Sequence, residues 1–248
     1  MRNLIIAGLM ICSGQGFAQT QVEKSVPVQS AQKLEMYFED PRLIKVHTWD
    51  KKEVLVKGLV SINRGENDDA FELTTSHSNG VVTITSRLKD RDNIPRRTVI
   101  HKGDQEYYFQ TGDPNDPVIQ KFFNEQGREY TYMSNGILHD ITLEIFVPRG
   151  MESSVTTKFG LVEVTDFDAP LAVYSDFGGI DATVVAGRTG ELIARTRFGE
   201  ILTNLDTKFT PLSEGRDAGH WTEVRTSPGK GPRYAFESKF GKVYLRKP

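Results

Sequence analysis

Four copies of one short pattern, a hydroxyl residue, a charged residue, Phe and Gly, constrain what this chain of 248 residues can fold into more than any other feature. They are Thr157-Lys158-Phe159-Gly160, Ser175-Asp176-Phe177-Gly178, Thr196-Arg197-Phe198-Gly199 and Ser238-Lys239-Phe240-Gly241, with Phe spacings of 18, 21 and 42 residues. Around the second and third copies the match is longer. Leu171, Val173, Ser175, Phe177, Ile180, Ala182 and Val184 recur as Leu192, Ala194, Thr196, Phe198, Ile201, Thr203 and Leu205, always 21 residues on. Seven matches in one register identify an internal repeat, and repeats of this length belong to architectures whose units bury a shared core by stacking.

On both sides of each Phe-Gly pair, apolar or small residues alternate with polar ones, the period of two of a half-buried strand. Each copy therefore reads as two short strands around a bend. Glycine gives the bend access to backbone conformations closed to other residues, and each Phe can stack on its counterpart in the next coil. Phe177 and Phe198 are expected at equivalent inward positions of adjacent coils. The predicted fold class is all-β: a β-solenoid or β-roll over 149–248, in which equivalent strands pair in parallel, with hairpins of an ordinary sandwich as the alternative. Thr210 to Gly219 reads as a loop, alternation resumes at Trp221, and the copy at Phe240 reads as a terminal, capping coil.

Upstream, 33–148 shows the same strand grammar without the close repeat. Lys33–Phe38, Leu43–Trp49, Glu53–Ile62, Phe71–Thr75, Val81–Leu88 and Ile137–Val147 are predicted strands, with Ser78-Asn79-Gly80 as a hairpin turn. Between about 90 and 136 the pattern breaks into an inserted, irregular segment rich in charge and Tyr. There Asp113-Pro114-Asn115-Asp116-Pro117 precedes a predicted helix at Val118–Asn124.

At the N-terminus, Arg2 and Asn3 precede an apolar run from Leu4 to Cys12 that is too short to span a bilayer, and Gly16-Phe17-Ala18 offers a cleavage site. The expectation is a signal peptide, 1–18, removed after Ala18, then a flexible mature N-terminus over 19–32 and a location in the periplasm or on the cell surface. Lipidation at Cys12 is the competing reading, opposed by the bulk of Ile11 before it. Cleavage at Ala18 removes the only cysteine, and with it disulfides, a thiolate nucleophile and cysteine-ligated metals. No later stretch is apolar for long enough to form a transmembrane helix. Residues 19–186 carry 18 Lys/Arg against 26 Asp/Glu, net −8, while 187–248 carry 12 against 7, net +5. Export and the acidic balance of the mature chain argue against nucleic acid as a partner.

The segment Val46-His47-Thr48-Trp49-Asp50, the strand Ile141-Thr142-Leu143-Glu144-Ile145-Phe146-Val147-Pro148 and the Thr-x-Phe-Gly copies after it resemble the "putative adhesin" β-strand-repeat family, bacterial exported proteins of unassigned function. The resemblance covers roughly 43–88 and 137–245. It implies an exported or envelope-facing solenoid with no catalytic residue to carry over, and the role expected of the chain as a whole is that of a non-catalytic binding, adhesion or scaffolding module. The insertion and the disturbed coil around Trp221 depart from the pattern.

Candidate chemistry is sparse. Histidines 47, 77, 101, 139 and 220 have no metal-ligand spacing, and no cofactor motif is present. Asp166 and Asp168 would share a face if extended, with Asp176 and Asp181 one coil on, a grouping that would suit a glycan-processing enzyme. Tyr107, Tyr108, Tyr130 and Tyr132, with Phe109, concentrate aromatic side chains in the insertion and are the candidate ligand platform for envelope polysaccharide or an envelope protein. A purely structural envelope component is the third reading.

Overall fold

The computed structural model describes residues 19–29, 31–212 and 221–248; the expected signal peptide, with Cys12 and Ala18, lies outside them, as does His220. The described chain is predominantly β. In chain order it comprises β1 (Thr20–Pro27), β2 (Lys33–Phe38), β3 (Leu43–Trp49), β4 (Glu53–Ile62), β5 (Phe71–Ser78), β6 (Val81–Leu88), β7 (Arg97–Lys102), β8 (Gln105–Phe109), α1 (Pro117–Gln126), β9 (Tyr132–Gly136), β10 (His139–Pro148), β11 (Ser153–Thr157), β12 (Leu161–Val164), β13 (Leu171–Ser175), β14 (Ile180–Thr183), β15 (Glu191–Thr196), β16 (Ile201–Thr203), β17 (Thr210–Pro211), β18 (Thr222–Thr226), β19 (Arg233–Ser238) and β20 (Val243–Arg246). Three sheets form. The eight-stranded one runs β1-β4-β10-β3-β12-β14-β20-β16, the nine-stranded one β17-β18-β15-β19-β13-β11-β2-β6-β5, and the small one β8-β7-β9.

The two large sheets share one apolar core, and the chain passes between them in strand-bend-strand units. Each unit gives its first strand to the nine-stranded sheet and its second to the eight-stranded one. In spatial order the units are β6/β10, β2/β3, β11/β12, β13/β14, β19/β20 and β15/β16, and neighbouring units pair in parallel in both sheets. Inward rows run straight across the stack: Met36, Val155, Val173, Phe236 and Ala194 in one sheet, Ile44, Val162, Ile180, Val243 and Ile201 in the other. Antiparallel strands close the first end, β4 with β1 against β10 and β5 against β6, and β18 with β17 covers β15 at the other. Such strands shield edges that would otherwise template further pairing.

Four expectations change. The copy at Phe240 is an interior unit: β19 lies between β13 and β15, so the units at Phe177 and Phe198 are not neighbours despite their 21-residue register. The buried Tyr234, Phe236, Val243 and Leu245 explain this, because a unit apolar on its inner side in both strands gains most with a neighbour on each flank. The chain after Gln19 is not flexible throughout; β1 pairs with β4 over eight residues. The stacked units do not begin at 149, since β2 and β3 pair directly with β11 and β12. Thr210–Pro211, read as loop, is the short strand β17.

The insertion replaces the bend of the β6/β10 unit, and it is less irregular than expected. Its three-stranded sheet is covered by α1, with Ile100, Ile119 and Phe123 as a separate small core. Asp116 caps α1 by accepting a hydrogen bond from the Val118 amide at 3.0 Å, and Pro117 follows at the first helical position, where a missing N–H costs nothing.

The bends explain the repeated pattern. The hydroxyl residue is buried in all four copies, and in three it accepts from the amide of the Gly three residues on: Gly178 to Ser175 at 3.0 Å, Gly199 to Thr196 at 3.1 Å, Gly241 to Ser238 at 2.8 Å, whereas Thr157 donates to the Phe159 carbonyl. The same hydroxyls donate to Gly carbonyls, Ser238 to Gly178 at 2.8 Å and Thr196 to Gly241 at 3.1 Å, tying one unit to the next. Glycine is required mainly by close approach. A Cβ on Gly178 would stand 1.6 Å from the Gly160 carbonyl oxygen, one on Gly241 2.0 Å from that of Gly178, and one on Gly199 2.0 Å from that of Gly241. Among these four, only Gly160 has positive φ, at 83°.

The Phe rings do stack, in the order Phe159, Phe177, Phe240, Phe198, with centroids 5.4, 5.0 and 4.9 Å apart. They point outward, contrary to expectation, with exposures of 40, 53, 49 and 56% in that order. An exposed ring leaves no cavity when removed. Phe240→Ala is therefore expected to lose two stacking contacts, about 1 to 3 kcal/mol, below the roughly 3 to 5 kcal/mol of a buried Phe. Urea unfolding beside Phe236→Ala, which truncates a buried ring, checks the difference.

Candidate binding surface

Alternation along each strand fixes what the outer face of the nine-stranded sheet displays. One row crosses it as Tyr37 (β2), Thr156 (β11), Tyr174 (β13), Glu237 (β19) and Arg195 (β15). The next row is Glu35, Ser154, Ala172, Ala235 and Ile193. Its three small residues, Ser154, Ala172 and Ala235, form the floor of a hollow of about 320 Å³ beside Tyr174, with Lys33, Glu152 and Arg233 on the opposite wall. A second hollow of about 380 Å³, lined by Thr85, Arg87, Thr156 and Lys158 among others, lies on the far side of Tyr37.

The charges around these hollows are largely paired. Lys33 bonds Glu152 at 2.8 Å, Arg233 bonds Glu191 at 2.6 Å, and Arg195 bonds Glu237 at 2.6 Å while lying 4.7 Å over the Trp221 ring. Tyr37 donates to Glu35 at 2.9 Å, and this hydrogen bond to a carboxylate, with some burial, raises the phenol above its ordinary value. Tyr37 and Tyr174 are both exposed at a little over two-fifths.

The four tyrosines of the insertion do not form one platform. Tyr107 and Tyr108 are consecutive on β8 and so face opposite ways. Tyr107 packs on Phe122 of α1 at 4.6 Å, whereas Tyr108 is held by Arg64, 4.2 Å over its ring, and by Arg97, which donates to its hydroxyl at 3.1 Å. Tyr130 sits 5.9 Å from Phe123 and Tyr132 5.8 Å from His101; both are exposed.

Of the four aspartates, Asp166 and Asp168 meet at one arginine while Asp176 and Asp181 pair elsewhere. Asp166 and Asp168 both meet Arg149, at 3.3 and 3.0 Å, together with Asp50 at 2.9 Å, and these bonds, that to Asp168 foremost, raise the guanidinium above its ordinary value. Asp176 is in a Phe-Gly bend bound to Lys239 at 2.5 Å, and Asp181 is on β14 bound to Arg246 at 2.7 Å. Alternation could not show this, because Asp166 and Asp168 follow β12 in a loop, with Asp166 at φ 47°. Among the described residues no group of His, Cys, Asp and Glu is arranged to hold a metal, and no helix is long and apolar enough to cross a membrane.

Where the insertion joins the body, Asp40 is 2% exposed, bound to Arg91 at 2.5 Å and 3.6 Å from His139. Burial lowers the imidazole's pKa below 6.5; Arg91 adds to this, while Asp40 and Asp140 oppose it. A lowered folded-state value means that the unfolded chain takes up the proton first, so this contribution to stability is present above about pH 6.5 and is lost as pH falls through the folded value. His139→Gln is expected to reduce the loss of stability between neutral and mildly acidic pH, read as urea midpoints at the two pH values.

No family model matches the sequence, and no curated protein matches it. Two solved structures align with it: a "putative cell adhesion protein" from Clostridium sporogenes, 8% identical over 93% of this chain and 100% of that one with a TM-score of 0.49, and a "putative adhesin" from Bacteroides fragilis, 9% identical over 92% and 97% with a TM-score of 0.23. Similarities this distant assign neither a family nor a function.

Proposed function

We propose that this chain is an exported β-solenoid that works without catalysis, as a binding or adhesion module at the cell envelope. The observation that carries the reading is the outer face of the nine-stranded sheet, where parallel stacking in register turns alternating residues into continuous rows and leaves a hollow over Ser154, Ala172 and Ala235. A surface that repeats along the stacking axis suits an extended partner, as in other stacked-repeat proteins. The pairing of Asp166, Asp168, Asp176 and Asp181 with cations favours binding over acid-base chemistry. Export rests on the first eighteen residues, with maturation at Gln19; finding an acylated Cys12 as the mature N-terminus would place the protein on a membrane instead.

Cosedimentation of the purified chain from Gln19 with washed envelope fragments tests the reading. Retention should fall at least about tenfold on Ala172→Arg, which fills the hollow from an outward position, and should be unchanged by Thr142→Arg on the outer face of the other sheet. Equal retention of all three proteins, or none by the parent, would contradict it.

A further inference from the structure

We infer that the ligand of this face is a neutral, linear polysaccharide lying across the strands, along the stacking axis. The inference rests on the binding role proposed above and names its ligand class. Its first support is spacing. Tyr37 on β2 and Tyr174 on β13 are two strands apart in one row, with Thr156 between them, and two strands further on, Arg195 on β15 carries Trp221 against it. With neighbouring strands about 4.8 Å apart, a flat side chain stands about every 10 Å along the axis. Regular repetition of this kind matches a polymer of identical units better than a folded protein surface.

The second support is chemistry. Sugars present apolar C–H faces rimmed by hydroxyls, and aromatic rings with polar tips meet both needs. Beside the rings, in the next row, the floor is small, Ser154, Ala172 and Ala235, so a ring-shaped residue can approach the sheet, while Thr156, Glu35, Glu152 and Lys33 offer donors and acceptors at its edges. The third support is charge. Lys33 with Glu152, Arg233 with Glu191 and Arg195 with Glu237 compensate one another, leaving little to select an anionic polymer. The Phe159-Phe177-Phe240-Phe198 stack is the poorer platform, because each interior ring has both faces covered by its neighbours.

Native affinity electrophoresis of the chain from Gln19, in gels containing mixed-linkage β-glucan, galactomannan or α-1,4-glucan, with polygalacturonate and dextran sulfate as anionic comparisons, tests this. At least one neutral polysaccharide should retard the protein. Tyr174→Ala and Ala235→Arg should each weaken that retardation at least about tenfold with unchanged melting temperature. Retardation by the anionic polymers alone, or retardation indifferent to Ala235→Arg, would overturn the inference. If no polysaccharide binds while envelope retention still depends on Ala172, the ligand class is wrong and the surface is right. If both fail, the binding role falls as well.

Discussion

Ending the chain at Thr226 is expected to abolish cooperative folding. Residues 227–248 hold β19 and β20, which lie inside the stack between β13/β14 and β15/β16. Truncation removes four buried apolar side chains, Tyr234, Phe236, Val243 and Leu245, and with them the contacts that join β15 and β16 to the remaining units. At about 1.5 to 3 kcal/mol for each buried side chain the direct loss is about 6 to 12 kcal/mol, comparable with the whole stability of a domain, about 5 to 15 kcal/mol. A terminal cap would behave differently: its removal would leave the other units paired as before. Near-ultraviolet circular dichroism with urea unfolding separates the outcomes, and a cooperative transition in the shortened chain would speak for the cap.

Gly178→Ala is expected to be among the most damaging single substitutions outside the core. The new Cβ would stand 1.6 Å from the Gly160 oxygen and 2.9 Å from Ser175 Oγ, and the carbonyl of Gly178 itself receives the Ser238 hydroxyl from the next unit. Backbone on either side cannot rotate away as a long side chain could, so the units must part locally. The expected loss is at or above the roughly 1 to 3 kcal/mol typical of overpacking. Gly187→Ala is the comparison, since a Cβ there meets nothing within 4 Å, and its effect should stay within about 0.5 kcal/mol. Equal effects at the two positions would remove close stacking as the reason for the repeated glycines.

Much of the local structure was legible in the sequence, and the neighbour relations were not. Alternation gave β2, β3, β4 and β6 at their observed bounds, because the period of two depends on the residue's own strand. Which units touch depends on pairings across the chain. The shared register between Leu171 and Leu192 reports similar surroundings for β13 and β15 without reporting that β19 comes between them. A signal for the true end existed: Thr203 falls in the inward row of Val46, Val164, Ala182 and Leu245, and a polar residue there marks the unit open to water on one side. The hydroxyl of the repeat was read as pattern alone, although a buried Ser or Thr followed three residues later by Gly is a local bend signature. The candidate surface could not be read at all, because Tyr37, Tyr174 and Trp221 are remote in sequence and meet on one face only through the stacking order.

That order is tested most directly by crosslinking. The chain from Gln19 has no cysteine, so pairs can be placed freely. The rings of Phe177 and Phe240 are 5.0 Å apart on adjacent units, and strands about 4.8 Å apart bring Cα atoms within the roughly 4.4 to 6.8 Å that a disulfide spans. Phe177 and Phe198 are separated by Phe240 and stand about 10 Å apart, two strand spacings, beyond that reach. Oxidation of the Phe177→Cys/Phe240→Cys protein should give a rapid intramolecular disulfide in the folded state, and the Phe177→Cys/Phe198→Cys protein should give none. The reverse result, a disulfide between positions 177 and 198 with positions 177 and 240 free, would mean that the units follow sequence order and that the face carrying Tyr37, Tyr174 and Arg195 does not exist as described.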